Sequence, residues 1–224
     1  AVQVLMGDTT MVPFDLQTSV GRSTVFMGSA VFEACRDVKA QLKAMAASAF
    51  GIEPADVEIG DGVVTLPSRK LTLREVLAEA FAGVPGEVIG VGSRRGEQDL
   101  EHPLGGAPAF YEFSCTAVEV EVDAHTGELT IVRHVSVADV GKALNPAHVE
   151  MQEEGAAIMG LGHTLMEHIV LDDHGRIVNL GALDYRILTT KDVPLELDSL
   201  LVENADGPGP YGSKGAGEGG LFAV

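Results

Sequence analysis

The sequence has no tryptophan and only two cysteines, Cys35 and Cys115, among its 224 residues. Two widely separated cysteines without a Cys-x-x-Cys pattern provide neither a zinc site nor an iron–sulfur site. Scarce cysteine also indicates a reducing compartment, so we expect a cytoplasmic protein. The chain opens in a strand-like alternation and closes on an apolar run. We therefore expect it to be a fragment or a split subunit of something larger.

Positive charge is scarce as well. Fifteen Lys and Arg against 33 Asp and Glu give a formal net charge of −18, which argues against binding to a nucleic acid backbone or to anionic lipid. No apolar run approaches the roughly 20 residues that a membrane-spanning helix needs. Because 46% of the residues are hydrophobic and 21% are charged, the composition predicts a folded globular chain.

Glycine is abundant, and it concentrates near the end of the chain. Residues 207–220 read Gly-Pro-Gly-Pro-Tyr-Gly-Ser-Lys-Gly-Ala-Gly-Glu-Gly-Gly. Glu218 is the single carboxylate in this stretch, which we call the glycine loop. Such a loop can bring a base close to a bulky ligand, because glycine permits close backbone approach. A flexible linker with a solvated Glu has the same pattern, and the stretch alone leaves both interpretations open.

A second polar segment, Thr18-Ser19-Val20-Gly21-Arg22-Ser23-Thr24, combines hydroxyl groups with one Gly and one Arg. Backbone N–H groups and an Arg fork in such a turn can hold a phosphate. A polar surface turn without a ligand would show the same residues, so that alternative stays open here. We call this segment the hydroxyl-rich turn.

Apolar periodicity predicts three helices, at about 29–50, 72–81 and 146–168. We expect Ser29 to cap the first helix and Cys35 to lie on its buried stripe as a small core residue. Thr72 and Glu75 predict a capping box for the second helix. Asn145 followed by a proline predicts the start of the third helix.

Alternation and turn signals predict strands between these helices. The predicted strand regions are 1–6, a hairpin at 57–66, the segment 111–140, a hairpin at 170–178, and the runs 182–188 and 195–203. We expect irregular connections at 7–17, where Pro13 interrupts the pattern, and an ordered loop at 102–106. The fold class is therefore α+β with mixed sheets, either as one domain or as two subdomains, 1–110 and 111–224.

The third predicted helix contains three glycines, Gly155, Gly160 and Gly162. Each costs about 1 kcal/mol of helix stability relative to Ala, which indicates that a backbone or a cofactor packs against the helix. Gln152 lies near the helix start, and the pattern fits an exposed residue as well as a ligand-binding one. His163 and Glu167 do not predict a metal site, because no third ligand has a matching spacing.

Three segments together resemble the molybdenum-cofactor-binding subunit of the xanthine dehydrogenase and aldehyde oxidoreductase family. The hydroxyl-rich turn, followed by Gly28-Ser29-Ala30-Val31, resembles the family's serine-rich cofactor loop and the helix after it. Asp139-Val140-Gly141, Asn145-Pro146, Gln152, Gly155 and Gly160-Leu161-Gly162 are similar to its D-x-G-x-x-x-N-P … Q-x-x-G … G-L-G segment. Ser213-Lys214-Gly215-Ala216-Gly217-Glu218 resembles its K-G-x-G-E loop. The three occur in the family's order and at similar separations.

The resemblance implies a role for each matched residue. Glu218 corresponds to the family's catalytic base, which takes a proton during water-derived hydroxylation of an N-heterocycle or an aldehyde. The resemblance implies no direct protein ligand to molybdenum, because the pterin dithiolene holds the metal. The positions implied to bind the molybdopterin cofactor are Ser19, Val20, Gly21, Arg22, Ser23, Thr24, Gln152, Lys214, Gly215 and Gly217.

The sequence also departs from the family. Gly219 and Gly220 stand where the family usually has prolines, or a small residue and a proline, after the base, and we expect a looser loop there. The family's upstream substrate and metal loops are missing, so we expect a companion chain or segment of the molybdenum subunit. The resemblance further implies 2Fe-2S and FAD partner chains or domains, a small-molecule substrate and a higher oligomer. The cofactor is expected as molybdopterin in its mononucleotide or cytosine dinucleotide form.

Two other interpretations compete with a molybdenum hydroxylase. A chain of the same fold that has lost catalysis would serve as a structural or cofactor-binding module. A chain outside the family would be an acidic binding domain with a disordered glycine tail.

Overall fold

The computed structural model describes residues 2–12, 17–96, 100, 101, 103, 106, 108 and 110–222. The chain forms two compact units, one of Ala1–Asp15 with Phe26–Arg95 and the other of Leu16–Val25 with Gly96–Val224. The hydroxyl-rich turn and the glycine loop therefore belong to the same unit, the second. Pro13 and most of the predicted loop at 102–106 lie outside the described residues. The pair of subdomains 1–110 and 111–224 stays a prediction.

The first unit packs two helices with a small antiparallel sheet. Helix α1 spans Gly28–Phe50 and helix α2 spans Leu73–Ala80. Strands β1 (Glu58–Gly60), β2 (Val63–Thr65) and β3 (Lys70–Thr72) pair in that order. The hairpin prediction is confirmed, and a third strand extends it. The buried core consists of Ala46, Ala47, Val57, Val64, Leu66 and Val76.

Local sequence signals predicted some ends of these helices correctly and others wrongly. The capping box of Thr72 and Glu75 is present, and Gly51 ends α1 in the left-handed conformation. Ser29 is not the N-cap of α1, because the helix continues from a π-helical turn at Ser23–Met27. Cys35 is exposed rather than buried, since the buried side of α1 runs instead through Leu42 and the alanines of the core.

The second unit is a mixed sheet with one long helix. Strand β4 (Ser114–Val122) pairs antiparallel with β5 (Leu129–Gly141), and β6 (Glu196–Glu203) pairs parallel with β5. Helix α3 spans Pro146–Leu165, and the short helix α4 spans Ala182–Tyr185. Ala138, Val140 and Ala143 form a small core cluster, against which Val149 of α3 packs. The mixed sheet and helices confirm the predicted α+β class.

Several predicted strands are absent or reduced. Residues 2–6 are exposed and have no strand partner, so their alternation does not produce a strand. The run 182–188 begins with α4, where the Tyr185 hydroxyl donates a hydrogen bond to Glu167 at 3.1 Å. The hairpin at 170–178 is reduced to one bridge, Leu171 to Ile177. Among the described residues no helix has the length and apolar character needed to cross a bilayer.

Candidate functional site

The glycine loop is packed rather than free. Gly207 and Gly209 donate backbone hydrogen bonds to Gly212 and Ser213, each at 2.9 Å. Pro210, Ser213, Lys214, Gly215, Gly219 and Gly220 are buried. A flexible tail would leave these residues solvated, so the interpretation of the loop as a disordered linker is wrong.

An ion pair fixes the middle of the loop to the end of β5. Lys214 Nζ lies 2.7 Å from Asp139 Oδ2 and 2.8 Å from Asp206 Oδ1, and the Lys214 N–H donates to the Val140 carbonyl at 3.0 Å. Burial would raise the pKa of Asp139, but hydrogen bonds from Lys214, Gly141 and Asn204 outweigh it and lower that pKa. The ammonium of Lys214 is thus held by carboxylates of the protein. Sequence reasoning missed this pair, although both residues lie in the motifs that carry the resemblance.

The hydroxyl-rich turn lies directly against the glycine loop. A Cβ atom on Gly21 would stand 2.3 Å from the Gly215 Cα, so only glycine permits this approach. Val20 has a φ of 43° and Gly21 a φ of 67°. A β-branched residue in the left-handed region is rare and strained, and such strain concentrates at functional sites. Neither the approach nor the strain at Val20 was foreseeable from residue types alone.

The turn presents polar groups outward. Ser19, Val20 and Thr24 are exposed, and Arg22 and Ser23 are partly buried. The Ser23 and Thr18 hydroxyl oxygens lie 3.0 Å apart, and the Arg22 N–H donates to the Ser19 carbonyl at 2.9 Å. Helical structure begins within the turn, with the π-helical residues Ser23–Met27, so the last backbone N–H groups of the turn lie at a helix start, where anions are stabilised.

Gln152 meets the other end of the loop. It is exposed in the second turn of α3, whose first turn is capped by the Asn145 side chain accepting from the His148 N–H at 3.3 Å. A Cβ on Gly217 would stand 3.0 Å from the Gln152 Cβ. The loop therefore runs from the hydroxyl-rich turn at Gly215 to the start of α3 at Gly217.

Glu218 follows directly and is exposed. Side chains from two strands and α3 hold the backbone around it. Thr116 of β4 donates to the Gly219 carbonyl at 3.0 Å, and His134 Nε2 of β5 lies 3.3 Å from the Gly220 carbonyl. On the other side, the Gly217 N–H donates to Glu153 Oε1 of α3 at 2.6 Å. The backbone on both sides of the exposed carboxylate is thus anchored.

The two glycines after Glu218 serve close packing. A Cβ on Gly219 would stand 2.6 Å from the Ser114 Cβ, and one on Gly220 would stand 3.0 Å from the Ala157 nitrogen. We expected these glycines to loosen the loop, but both are buried against β4 and α3. Of the helix glycines, Gly160 packs against the Leu221 backbone as predicted, whereas a Cβ on Gly155 would meet no atom within 4 Å.

The described part of the chain contains no group of three or more His, Cys, Asp or Glu residues placed to hold a metal ion. His163 is exposed, and Glu167 binds the Tyr185 hydroxyl. The donors at the junction of turn, loop and α3 are instead hydroxyls, backbone N–H groups, a guanidinium and an amide. Together with the side-chain-free approach of Gly21 and Gly215, this donor set suits a polar ligand that carries a phosphate.

Comparison with known proteins agrees with this fold. The sequence model of the family described as molybdopterin cofactor-binding domain matches residues 1–194, and the chain therefore belongs to that family. The match ends before the glycine loop, so the family assignment does not depend on the loop.

Two curated relatives and one crystal structure show the extent of the likeness. The aldehyde oxidoreductase molybdenum-binding subunit PaoC of Escherichia coli is 34% identical over 88% of this chain and 25% of its own length. The 6-hydroxypseudooxynicotine dehydrogenase complex subunit gamma of Paenarthrobacter nicotinovorans is 26% identical over 100% of this chain and 28% of its own length. The crystal structure of quinoline 2-oxidoreductase from Pseudomonas putida 86 superposes with a TM-score of 0.73 at 25% identity, over 92% of this chain and 26% of that one. The chain thus spans about a quarter of the length of the relatives that it matches.

Proposed function

We propose that this chain is part of the molybdenum-binding subunit of a molybdenum hydroxylase and supplies its catalytic base, Glu218. One observation carries the proposal: the glycine loop contacts the hydroxyl-rich turn at Gly215 and the start of α3 at Gly217, and the next residue is an exposed carboxylate. A base needs a carboxylate that is free to reach its substrate on a backbone that does not move.

The cofactor contacts follow from the same junction. Ser19, Ser23, Thr24 and the backbone of the turn would bind the phosphate and pterin through hydroxyl and N–H donors, with the Arg22 guanidinium as a charged partner. Gln152 would donate or accept hydrogen bonds at the pterin edge. Gly215 and Gly217 would let the cofactor approach the backbone closely. Val20 would contribute its strained backbone to the turn that binds the cofactor.

Lys214 would act differently from the other cofactor-binding positions. Because two carboxylates hold its ammonium, its contribution would be to fix the loop, with its backbone facing the cofactor. When bound, the molybdopterin group would supply the redox chemistry for hydroxylating an N-heterocycle or an aldehyde with oxygen from water. Glu218 would orient the reacting water-derived group and accept its proton at a carboxylate oxygen.

The whole assembly would be larger than this chain. Both curated relatives are named as subunits, and the chain covers about a quarter of their length. We therefore infer a companion segment of the molybdenum subunit, 2Fe-2S and FAD partners, a small-molecule substrate and a higher oligomer. The two free, exposed cysteines support a reducing cytoplasm as the location.

The test is Glu218→Gln in the complete assembly. The change removes the proton acceptor but preserves shape, so kcat should fall by a factor of about 10² to 10⁴ while the molybdenum and pterin content stays at the wild-type level. Glu121→Gln, on the exposed edge of β4, is the matched control and should change neither quantity. Undiminished turnover of Glu218→Gln would show that another group is the base.

A further inference from the structure

The buried face of α3 contains one charged side chain. Glu153 is fully buried and lies on the same face as Ala156, Ala157, Gly160 and Leu161. Its Oε1 accepts the Gly217 N–H at 2.6 Å, one residue before Glu218. Its Oε2 is buried with no hydrogen-bond donor. Burying a carboxylate oxygen without a hydrogen-bond donor costs free energy. We therefore expect a proton close to this oxygen.

Glu112 provides the complementary group. It lies just before β4, and its Oε1 is also buried without a donor. Both carboxyl groups adjoin Gly219: the Gly219 N–H acts on Glu112, and Glu153 Oε2 lies 3.3 Å from the position that a Cβ on Gly219 would take. Two ionised carboxylates have no hydrogen to share, but a single proton lets one carboxyl donate to the other. Burial, and next the charge of Glu153, raise the pKa of Glu112 to about 8, so this carboxyl keeps its proton at neutral pH.

The neighbouring titratable groups, Glu218 and His134, do not supply a positive charge that could take the place of this proton. Glu218 adds a further negative charge, which raises the pKa of Glu112 still more, whereas the Gly219 N–H lowers it. From β5, His134 reaches the adjacent Gly220 carbonyl, and burial lowers the pKa of its imidazole despite that hydrogen bond. A neutral imidazole brings no positive charge to the carboxyl groups.

We propose that Glu112 and Glu153 share one proton, and that this carboxyl pair positions the loop that carries Glu218. The inference rests on the proposed function, because it gives the pair a role in holding the base. Both are positioning residues: Glu153 binds the Gly217 N–H directly, and the proton on Glu112 keeps Glu153 from being repelled. Glu153 lies on a helix, which is a more rigid support than a loop.

Rising pH should weaken the positioning of Glu218 by Glu112 and Glu153. As pH rises through about 8, Glu112 loses its proton and two buried anions face each other, with Glu218 as a third nearby. Repulsion then weakens the contact between Glu153 and Gly217, and the position of Glu218 becomes less defined. We expect kcat to fall on the alkaline side while KM changes less.

The first experiment detects the proton without using turnover. Infrared difference spectra of the complete assembly, wild type minus Glu112→Gln, are recorded as a function of pH. The carboxylic acid C=O band of Glu112 should be present at pH 7 and disappear with a midpoint near pH 8. A band already lost near pH 5 would overturn the shared proton, since an ordinary Glu titrates at about 4.3.

The second experiment measures positioning. Glu153→Ala removes the acceptor of the Gly217 N–H and should lower kcat by about 10- to 100-fold, as expected for a small misplacement of a catalytic group. Glu153→Gln retains an acceptor and should recover most of that loss. Glu112→Gln stays neutral at all pH values, so the ratio of kcat at pH 9 to kcat at pH 7 should rise above that of wild type. Glu121→Gln is the control with an unchanged ratio.

The two proposals fail separately. If Glu218→Gln keeps its turnover, Glu218 is not the base, but the infrared titration of Glu112 would still support the carboxyl pair. If Glu112 titrates like an ordinary Glu, or if Glu153→Ala keeps the wild-type kcat, the proposed carboxyl pair is wrong. The assignment of Glu218 as the base would not be affected.

Discussion

The contact between Gly21 and Gly215 can be tested by one methyl group. In Gly21→Ala the new Cβ would lie 2.3 Å from the Gly215 Cα, well inside van der Waals contact. Gly21 also has a φ of 67°, a conformation that costs an L-residue roughly 1–2 kcal/mol. Overpacking against a backbone adds about 1–3 kcal/mol. We therefore expect a loss of about 2–5 kcal/mol in the free energy of unfolding.

Gly51 is the matched control, because its φ is also 67° but a Cβ there would meet no atom within 4 Å. Gly51→Ala should lose only the conformational part, roughly 1–2 kcal/mol. Urea denaturation of both variants measures the difference. Molybdenum and pterin analysis of the purified assemblies should show a loss for Gly21→Ala alone. Equal losses of stability, with equal cofactor content, would refute the close approach of turn and loop.

Three further variants test the ion pair and the glycines of the second unit. Lys214→Met leaves Asp139 largely buried without its cation, which should cost about 3–5 kcal/mol. The folded-state pKa of Asp139 is lowered, so the difference from wild type should be fully present above about pH 4 and shrink as pH falls, measured by urea denaturation at several pH values. A difference that grew in acid would contradict this assignment. Gly155→Ala should stabilise α3 by roughly 0.5–1 kcal/mol, since its Cβ position is open and Ala is the better helix former. Gly220→Ala should destabilise, because its Cβ would press on backbone atoms of α3, and a thermal melt that ranked the two variants the other way would disprove the packing.

Local sequence signals located the main elements because those signals act over a few residues. The cap at Thr72 and Glu75, the proline after Asn145, and the left-handed Gly51 each satisfy or end a helix through neighbours in the chain. Alternation likewise identified β4 and β5. The same signals failed at residues 2–6, which have no partner strand, and at 182–188, where a tertiary hydrogen bond from Tyr185 accompanies a helical turn.

The candidate site was predictable in part. Residue types drew attention to the glycine loop, the hydroxyl-rich turn and Gln152, and the resemblance of their motifs and motif order to a known family singled them out as site residues. Glu153 could have been found as well, because helical spacing places it on the same face as Ala156, Ala157 and Gly160. Its partner Glu112 has no such signal, since it lies in an irregular segment before β4.

The sequence by itself determined the α+β class, the three main helices and the existence of a glycine-rich loop with a single acid, Glu218. These features follow from periodicity, capping and backbone freedom, all of which are local. Only the tertiary structure decided that Lys214 binds Asp139, that Gly215 touches Gly21, and that Glu112 meets Glu153. Each of these contacts joins residues far apart in the chain, and their energies depend on burial and distance, which residue types do not specify.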